Sequence, residues 1–272
     1  MKLMMVACLA VCGEAQLPDV HDIMLRVAFN QAKSQDARRQ FVFREKQTVR
    51  LRRANGSLAR EEYREYQIAP TERGIHRELL TLHGRYEEKG DYVLYDRPQH
   101  GVEGVATGID AGLIEGFSED WNTDNSRDGI ANELFPLTYH QQLKYNFRLV
   151  KAETYSGRAV YRVAFEPKKR YEWKGEALID ATDYQPVFVT TKMAHGVPLP
   201  VKTLLGSDVK GLGFSVSYQR FGDGVWFPVS YGGEFELRVL FFYRRTISIS
   251  LTNVDFQHVD VNSVVRYSSD TQ

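Results

Sequence analysis

Cysteine is almost absent from this sequence: 272 residues hold only Cys8 and Cys12. Both lie in the first fifteen positions, so a chain cut after Ala15 has no thiol. Disulfides, cysteine nucleophiles and cysteine metal sites are then excluded together. Net charge is also missing, because 35 Lys plus Arg balance 35 Asp plus Glu. Nucleic-acid binding leaves a basic footprint, and none is present, so nucleic acid is not an expected partner. The longest apolar run at the start, Leu3 to Cys12, is far short of the roughly 20 residues a membrane helix needs. Direct membrane contact is therefore expected to be peripheral or nil. No G-x-S-x-G, H-E-x-x-H or G-x-x-x-x-G-K-[ST] pattern occurs. No repeat of about 20–50 residues is visible, which argues against a propeller.

What is present begins with an export signal. Lys2 precedes the apolar run, and Gly13 and Ala15 are small residues at −3 and −1 of a cut before Gln16. Residues 1–15 are thus expected to be a signal peptide and the protein to be periplasmic. An alternative is a lipoprotein anchored through Cys12, although Val11 is larger than the residue usual before a lipidated cysteine. Residues 16–272 are read as one domain with an insertion near 101–135, because single β domains of about 200–250 residues are common.

Composition favours strands, with 15 Phe, 15 Tyr and 3 Trp. One helix precedes them. Asp19 can cap it, and Val20, Ile23, Met24, Val27 and Ala28 recur at helical spacing, giving a helix over roughly Val20–Arg39. The period then changes to two. Phe41, Phe43, Glu45, Gln47, Val49 and Leu51 share one face; Val42, Arg44, Lys46, Thr48, Arg50 and Arg52 share the other. Asn55-Gly56 reads as a two-residue hairpin turn, which sets Arg50 against Glu61 and Lys46 against Glu65. The basic row is then a solvated face neutralised by its neighbour.

Strand patterns follow at Ile75–Leu82 and Tyr92–Tyr95. Residues 101–130 lose periodicity and read as a long, partly helical excursion, a candidate flap, with Gly101, Gly104 and Gly108 in loop. From Tyr145 hairpins recur: Asn146–Ala152 with Ala159–Glu166, Trp173–Asp180 with Pro186–Met193, Gly213–Arg220 with Val225–Arg238, then Phe241–Val259. Short connections make the sheet antiparallel and meander-like.

Ion and acid–base chemistry finds little support. His76 and His83 are seven apart, which on a regular strand puts them on opposite faces. Asp120–Gly129 spaces oxygen side chains like a calcium loop, but Asn125 takes the place of the turn glycine and Ala131 that of the bidentate glutamate. Glu61/Glu62 and Glu87/Glu88 are sequence neighbours and point apart on a strand. No metal, cofactor or catalytic residue is expected.

The segment Trp173-Lys174-Gly175-Glu176-Ala177-Leu178-Ile179-Asp180, followed by a turn into Gln185-Pro186-Val187, resembles the outer-membrane lipoprotein-sorting superfamily, the LolA/LolB-like proteins. Gly157-Arg158-Ala159-Val160-Tyr161 and Gly222-Asp223-Gly224-Val225-Trp226-Phe227-Pro228 are similar in style. The resemblance covers about residues 145–260. It implies an α+β fold, mainly β: an antiparallel open half-barrel wrapped around the N-terminal helix and the partly helical insertion. It also implies an apolar cavity for acyl chains.

Alternation independently marks such a face. Phe214, Val216 and Tyr218 point one way on their strand, and Phe235, Leu237, Val239 and Phe241 do so on the next. These seven are the candidate ligand-lining residues; ordinary core is the plainer reading of the same stripe. The functional expectation is a non-enzymatic exported protein, a carrier or envelope sensor, that binds lipid or lipoprotein acyl chains. The alternative is an envelope scaffold with protein partners whose cavity is filled by its own flap. A hydrolase with converged residues is the least favoured reading.

Overall fold

Asp19 opens the first helix. Its backbone is extended, and its carboxylate accepts from the His21 amide at 2.6 Å, satisfying a donor that the first turn leaves free. Helix α1 runs Val20–Arg38 and buries Ile23, Met24, Val27 and Ala28, the expected stripe. The structure is a computed structural model and describes residues 17–71, 75–98, 104–120, 135–169, 173–193, 207–222, 224–239 and 242–259. The signal-like start, both cysteines, the Asp120–Gly129 loop beyond its first residue and Phe241 lie outside the described residues.

Twelve strands follow, all paired antiparallel in one sheet that does not close. They are β1 (Phe41–Arg52), β2 (Leu58–Pro70), β3 (Ile75–Glu88), β4 (Asp91–Tyr95), β5 (Tyr145–Tyr155), β6 (Arg158–Pro167), β7 (Trp173–Asp180), β8 (Pro186–Met193), β9 (Ser207–Lys210), β10 (Gly213–Arg220), β11 (Trp226–Val239) and β12 (Tyr243–His258). The order across the sheet is β4-β3-β2-β1-β12-β11-β10-β8-β7-β6-β5, with β9 beside the end of β11. Two meanders are therefore joined where the first strand meets the last. Between them lie α2 (Val105–Asp120) and a short α3 (Tyr139–Gln142). This is the expected open half-barrel: mainly β, with α1 and α2 on the inner side of the curved sheet.

Arg50 pairs with Glu61 and Lys46 with Glu65, the expected register. The turn that sets it differs from the expected one. Gly56 alone is left-handed (φ +84°), and its amide donates to Arg53 O, while the register slips between Leu51 and Arg52. A four-residue turn and a bulge thus replace the two-residue Asn55-Gly56 loop, and the two changes cancel in register. A second bulge overturns the histidine reading. Pairing of β2 with β3 slips between Glu65 and Tyr66, so Leu80 is the extra residue and facing parity reverses there. His76 and His83 consequently lie on the same, exposed face. Gly108 is helical in α2, not loop.

The core is one cluster gathered on the inner side: Ile23, Met24 and Val27 of α1, Ile114 of α2, and inward residues of β1, β6–β8 and β10–β12. A smaller one joins Phe43, Tyr66 and Ile68. A fully buried Leu, Ile, Val or Phe contributes about 1.5–3 kcal/mol, so this apolar contact is the main favourable term.

Candidate functional site

The inner face of the sheet is built from two chemistries. On the C-terminal meander, Phe214, Val216 and Tyr218 of β10 and Phe235 and Leu237 of β11 are all buried and belong to the main core; Val239 is partly buried against it. The sequence-predicted residues are thus brought together, apart from Phe241, which is not described. Their rings interlock: Phe214 meets Trp173 edge-on at 5.5 Å and Phe235 edge-on at 6.4 Å, and stacks on Tyr231 at 5.9 Å between centroids.

A helix lies over this face. Phe117 of α2 meets Phe235 edge-on at 5.8 Å, Ile114 is 1% exposed, and Ile109 and Leu113 pack on the same cluster. The excursion between the meanders therefore occupies the position where sequence reasoning puts a ligand.

The N-terminal meander turns charges inward instead. Glu45 and Gln47 of β1, with Arg60, Glu62 and Arg64 of β2, are each at most 5% exposed. The carboxylates are each matched by an arginine, while Arg60 lies over the Tyr86 and Tyr95 rings. Arg64 pairs with Glu62 and, at 2.6 Å, with Glu115 of α2. Arg77 of β3 pairs with Glu45, stacks on Tyr66 and donates to Ser118 O of α2 at 2.9 Å. Tyr95 of β4 donates to Glu62 at 2.8 Å and accepts from Arg60 at 2.9 Å. The Tyr95 ring lies over Gly84, where any Cβ would fall inside it. Burial, and next the Glu62 charge, push the Tyr95 hydroxyl well above its ordinary range. Burial alone would lower the Arg64 pKa, but hydrogen bonds to Glu115 and Tyr66 and the Glu62 charge raise it further. Arg64 is thus firmly cationic.

Helix α2 ties the two halves together. At its first turns Asp110 is 4% exposed and is held on both oxygens: Arg245 Nε reaches Oδ1 at 2.9 Å, Arg245 Nη2 reaches Oδ2 at 2.9 Å, and the Tyr243 hydroxyl donates to Oδ1 at 2.6 Å. Burial and the Asp110 charge raise the Tyr243 pKa, which keeps that hydroxyl a donor. At its other end Gln47 donates to Phe117 O at 3.3 Å.

The sequence reading did not find these groups. Both faces of Arg60-Glu61-Glu62-Tyr63-Arg64-Glu65 are charged, so alternation there has no apolar row to mark the inside. The available signal was Glu45 and Gln47 sharing a face with Phe43, Val49 and Leu51. Among the described residues no group of three or more His, Cys, Asp or Glu is placed to hold a metal.

No protein family's profile matches the chain, and no curated protein does. Among solved structures it is similar to a putative outer membrane lipoprotein-sorting protein domain from Vibrio parahaemolyticus at 12% identity, with 88% of this chain and 93% of that one covered and a TM-score of 0.36. It is similar to a LolA superfamily protein from Nitrosomonas europaea at 12% identity, 90% and 96% coverage and a TM-score of 0.34. A DUF1329 family protein from Desulfovibrio piger matches at 11% identity, 90% and 93% coverage and a TM-score of 0.36. The solved structures that this chain is similar to therefore include the lipoprotein-sorting superfamily that the Trp173–Val187 segment resembles.

Proposed function

We propose that this is an exported, non-enzymatic envelope protein, a carrier or sensor. It binds acyl chains of a lipid or lipoprotein on the inner face formed by Phe214, Val216, Tyr218, Phe235, Leu237 and Val239. In the structure α2 fills that face, and in the bound form α2 moves off it. Export, with a periplasmic location or an anchor through Cys12, belongs to the same reading and rests on the first fifteen residues.

The observation that carries this reading is the make-up of α2. It packs on the core through Ile109, Leu113, Ile114 and Phe117 and through the buried Asp110, yet it carries Gly108, Gly112 and Gly116, and a Cβ at position 112 or 116 would meet nothing within 4 Å. Packing thus does not require those two glycines. Each costs about 0.8–1.0 kcal/mol of helix stability relative to alanine. A permanent part of the core gains nothing from them; a helix that leaves its seat does. The buried carboxylates of the face support binding over catalysis, since Glu45, Glu62 and Asp110 are each taken up by an arginine.

A second reading has one observation in its favour: the seat is occupied, as in an envelope scaffold that fills its own cavity and binds a protein partner elsewhere. Titration of delipidated protein with an uncharged fluorescent acyl probe separates the two. Binding to the wild type is expected. Phe235→Asp, which sets a charge among acyl carbons, should reduce it about a hundredfold or more while the protein stays folded. A folded Phe235→Asp protein with unchanged affinity would show that the chain binds elsewhere, and no binding at all would favour the scaffold.

A further inference from the structure

We infer that the ligand is an anionic single-chain amphiphile, whose head group takes the place of the Asp110 carboxylate between Arg245 and Tyr243. This rests on the acyl-binding reading of the same face and adds the chemistry of the head group.

Arg245 and Tyr243 point inward, and their cross-strand partners on β11 are Leu237 and Val239; one pair further along, Ile247 faces Phe235. The guanidinium fork is therefore set directly into the wall proposed for the acyl chain, not at a distant rim. Arg245 is 8% and Tyr243 1% exposed. Their geometry suits a carboxylate or phosphate. Two parallel N–H···O bonds of 2.9 Å run to separate oxygens, with a hydroxyl adding a third at 2.6 Å.

A fork of this kind cannot be left empty in an apolar surface. An unpaired buried guanidinium is strongly destabilising. In the structure the matching anion comes from α2, which brings Asp110 together with the apolar side chains Ile114 and Phe117. A carboxylate joined to an apolar body is the description of a fatty acid. Helix α2 thus presents to the sheet the same two chemistries as the ligand it would yield to.

Charge bookkeeping points the same way. When α2 lifts, Asp110 and Glu115 leave with it. Arg245 then loses the carboxylate it grips, and Arg64 keeps only Glu62. The vacated face is left with an uncompensated positive charge beside its apolar wall. A neutral ester or alcohol would leave that charge unmatched; a carboxylate or phosphate head restores the pairing.

The test compares palmitate with methyl palmitate in calorimetric titrations of the wild type, Asp110→Asn and the double variant Asp110→Asn/Arg245→Gln. The double variant removes both charges, so neither is stranded if a single change proves unstable. Loosening α2 should tighten both ligands about tenfold in Asp110→Asn, because the open form becomes more populated. The acid should bind at least tenfold tighter than the ester in the wild type and in Asp110→Asn. In the double variant the two should bind within about twofold of each other, with the ester as in Asp110→Asn. Hexadecyl phosphate in place of palmitate separates the two head-group sources: binding as tight as the acid's assigns the fork to either anion, and binding as weak as the ester's assigns it to carboxylates. Equal acid and ester affinities in the wild type and Asp110→Asn would overturn the head-group inference while leaving the acyl-binding reading standing. Failure of both ligands to bind any of the three proteins would overturn both.

Discussion

On β10 and β11 the inward side chains include Phe214, Val216, Phe235 and Leu237; on β1–β3 the inward positions include Glu45, Gln47, Arg60, Glu62, Arg64 and Arg77. Apart from the partly buried Arg77, both sets are buried, and both follow the alternation of a strand. The difference lies in how each tolerates being dry. The aromatic half needs only close contact, and its stability is spread over many weak dispersion terms. The charged half needs every partner present, because a buried ion without its counter-ion costs more than a lost contact. One half is held by contact between apolar groups, and the other by specific ion pairs.

The largest test of that contrast is a pair of double-mutant cycles read by urea unfolding. Glu62→Leu should destabilise by about 3 kcal/mol, since it leaves Arg64 only the half-buried Glu115 and removes the acceptor of Tyr95. Glu62→Leu/Arg64→Leu should lose less than Glu62→Leu alone, because an ion pair replaced by apolar groups is often neutral. In the aromatic half Phe235→Ala should also cost about 3–5 kcal/mol, but adding Phe214→Ala must deepen the loss. Identical signs of coupling in both halves would dissolve the distinction.

The next effect is smaller and opposite in sign. Gly112→Ala/Gly116→Ala should stabilise the protein by about 1–2 kcal/mol in total and weaken capture of an acyl probe by a similar free energy, roughly tenfold. Stabilisation without any change in binding would separate α2 from the ligand site.

The smallest effect belongs to the outer face. Glu61 is partly buried, which raises its pKa, but hydrogen bonds and charge from Arg50 and Arg85 outweigh this and hold it below its ordinary 4.5. A depressed carboxylate pKa adds stability above 4.5 that disappears as pH falls through the folded value. Glu61→Gln should therefore cost no more than about 1 kcal/mol near neutral pH and nothing in strong acid. Thermal melts across that range would show it, and a loss as large as that of Glu62→Leu would mean that outside and inside pairs are equivalent after all.

These contrasts also mark where sequence reading succeeded. Local devices were legible: the Asp19 cap, the Arg50–Glu61 register, and the hairpins of β5–β6, β7–β8 and β10–β11, each set by residues close in the chain. The grouping of Phe214, Val216, Phe235 and Leu237 was legible as alternation. The partly helical flap over them was legible as an alternative filler of the cavity, but its seat was not, because that is fixed by Asp110, far in sequence from Arg245. The inward charges were illegible for a different reason: in β2 both rows are charged. A single bulge at Leu80 was enough to reverse the facing of His83, and no residue type announces it.

The junction of β1 with β12 has a consequence in time. Gln40 and His258 meet at 3.1 Å across 218 positions, and β1 pairs with β12 along nearly its whole length. During synthesis β1 therefore has β2 on one side and an open edge on the other until β12 has emerged. Sheets closed by such distant pairings fold slowly, in the range of about milliseconds to seconds even for small domains. Throughout that interval the buried Val49 and Leu51 sit beside unpaired backbone amides, which invites association with other chains. The growing chain thus has a long window in which a holding chaperone is useful, and a truncation before Tyr243 would make that window permanent.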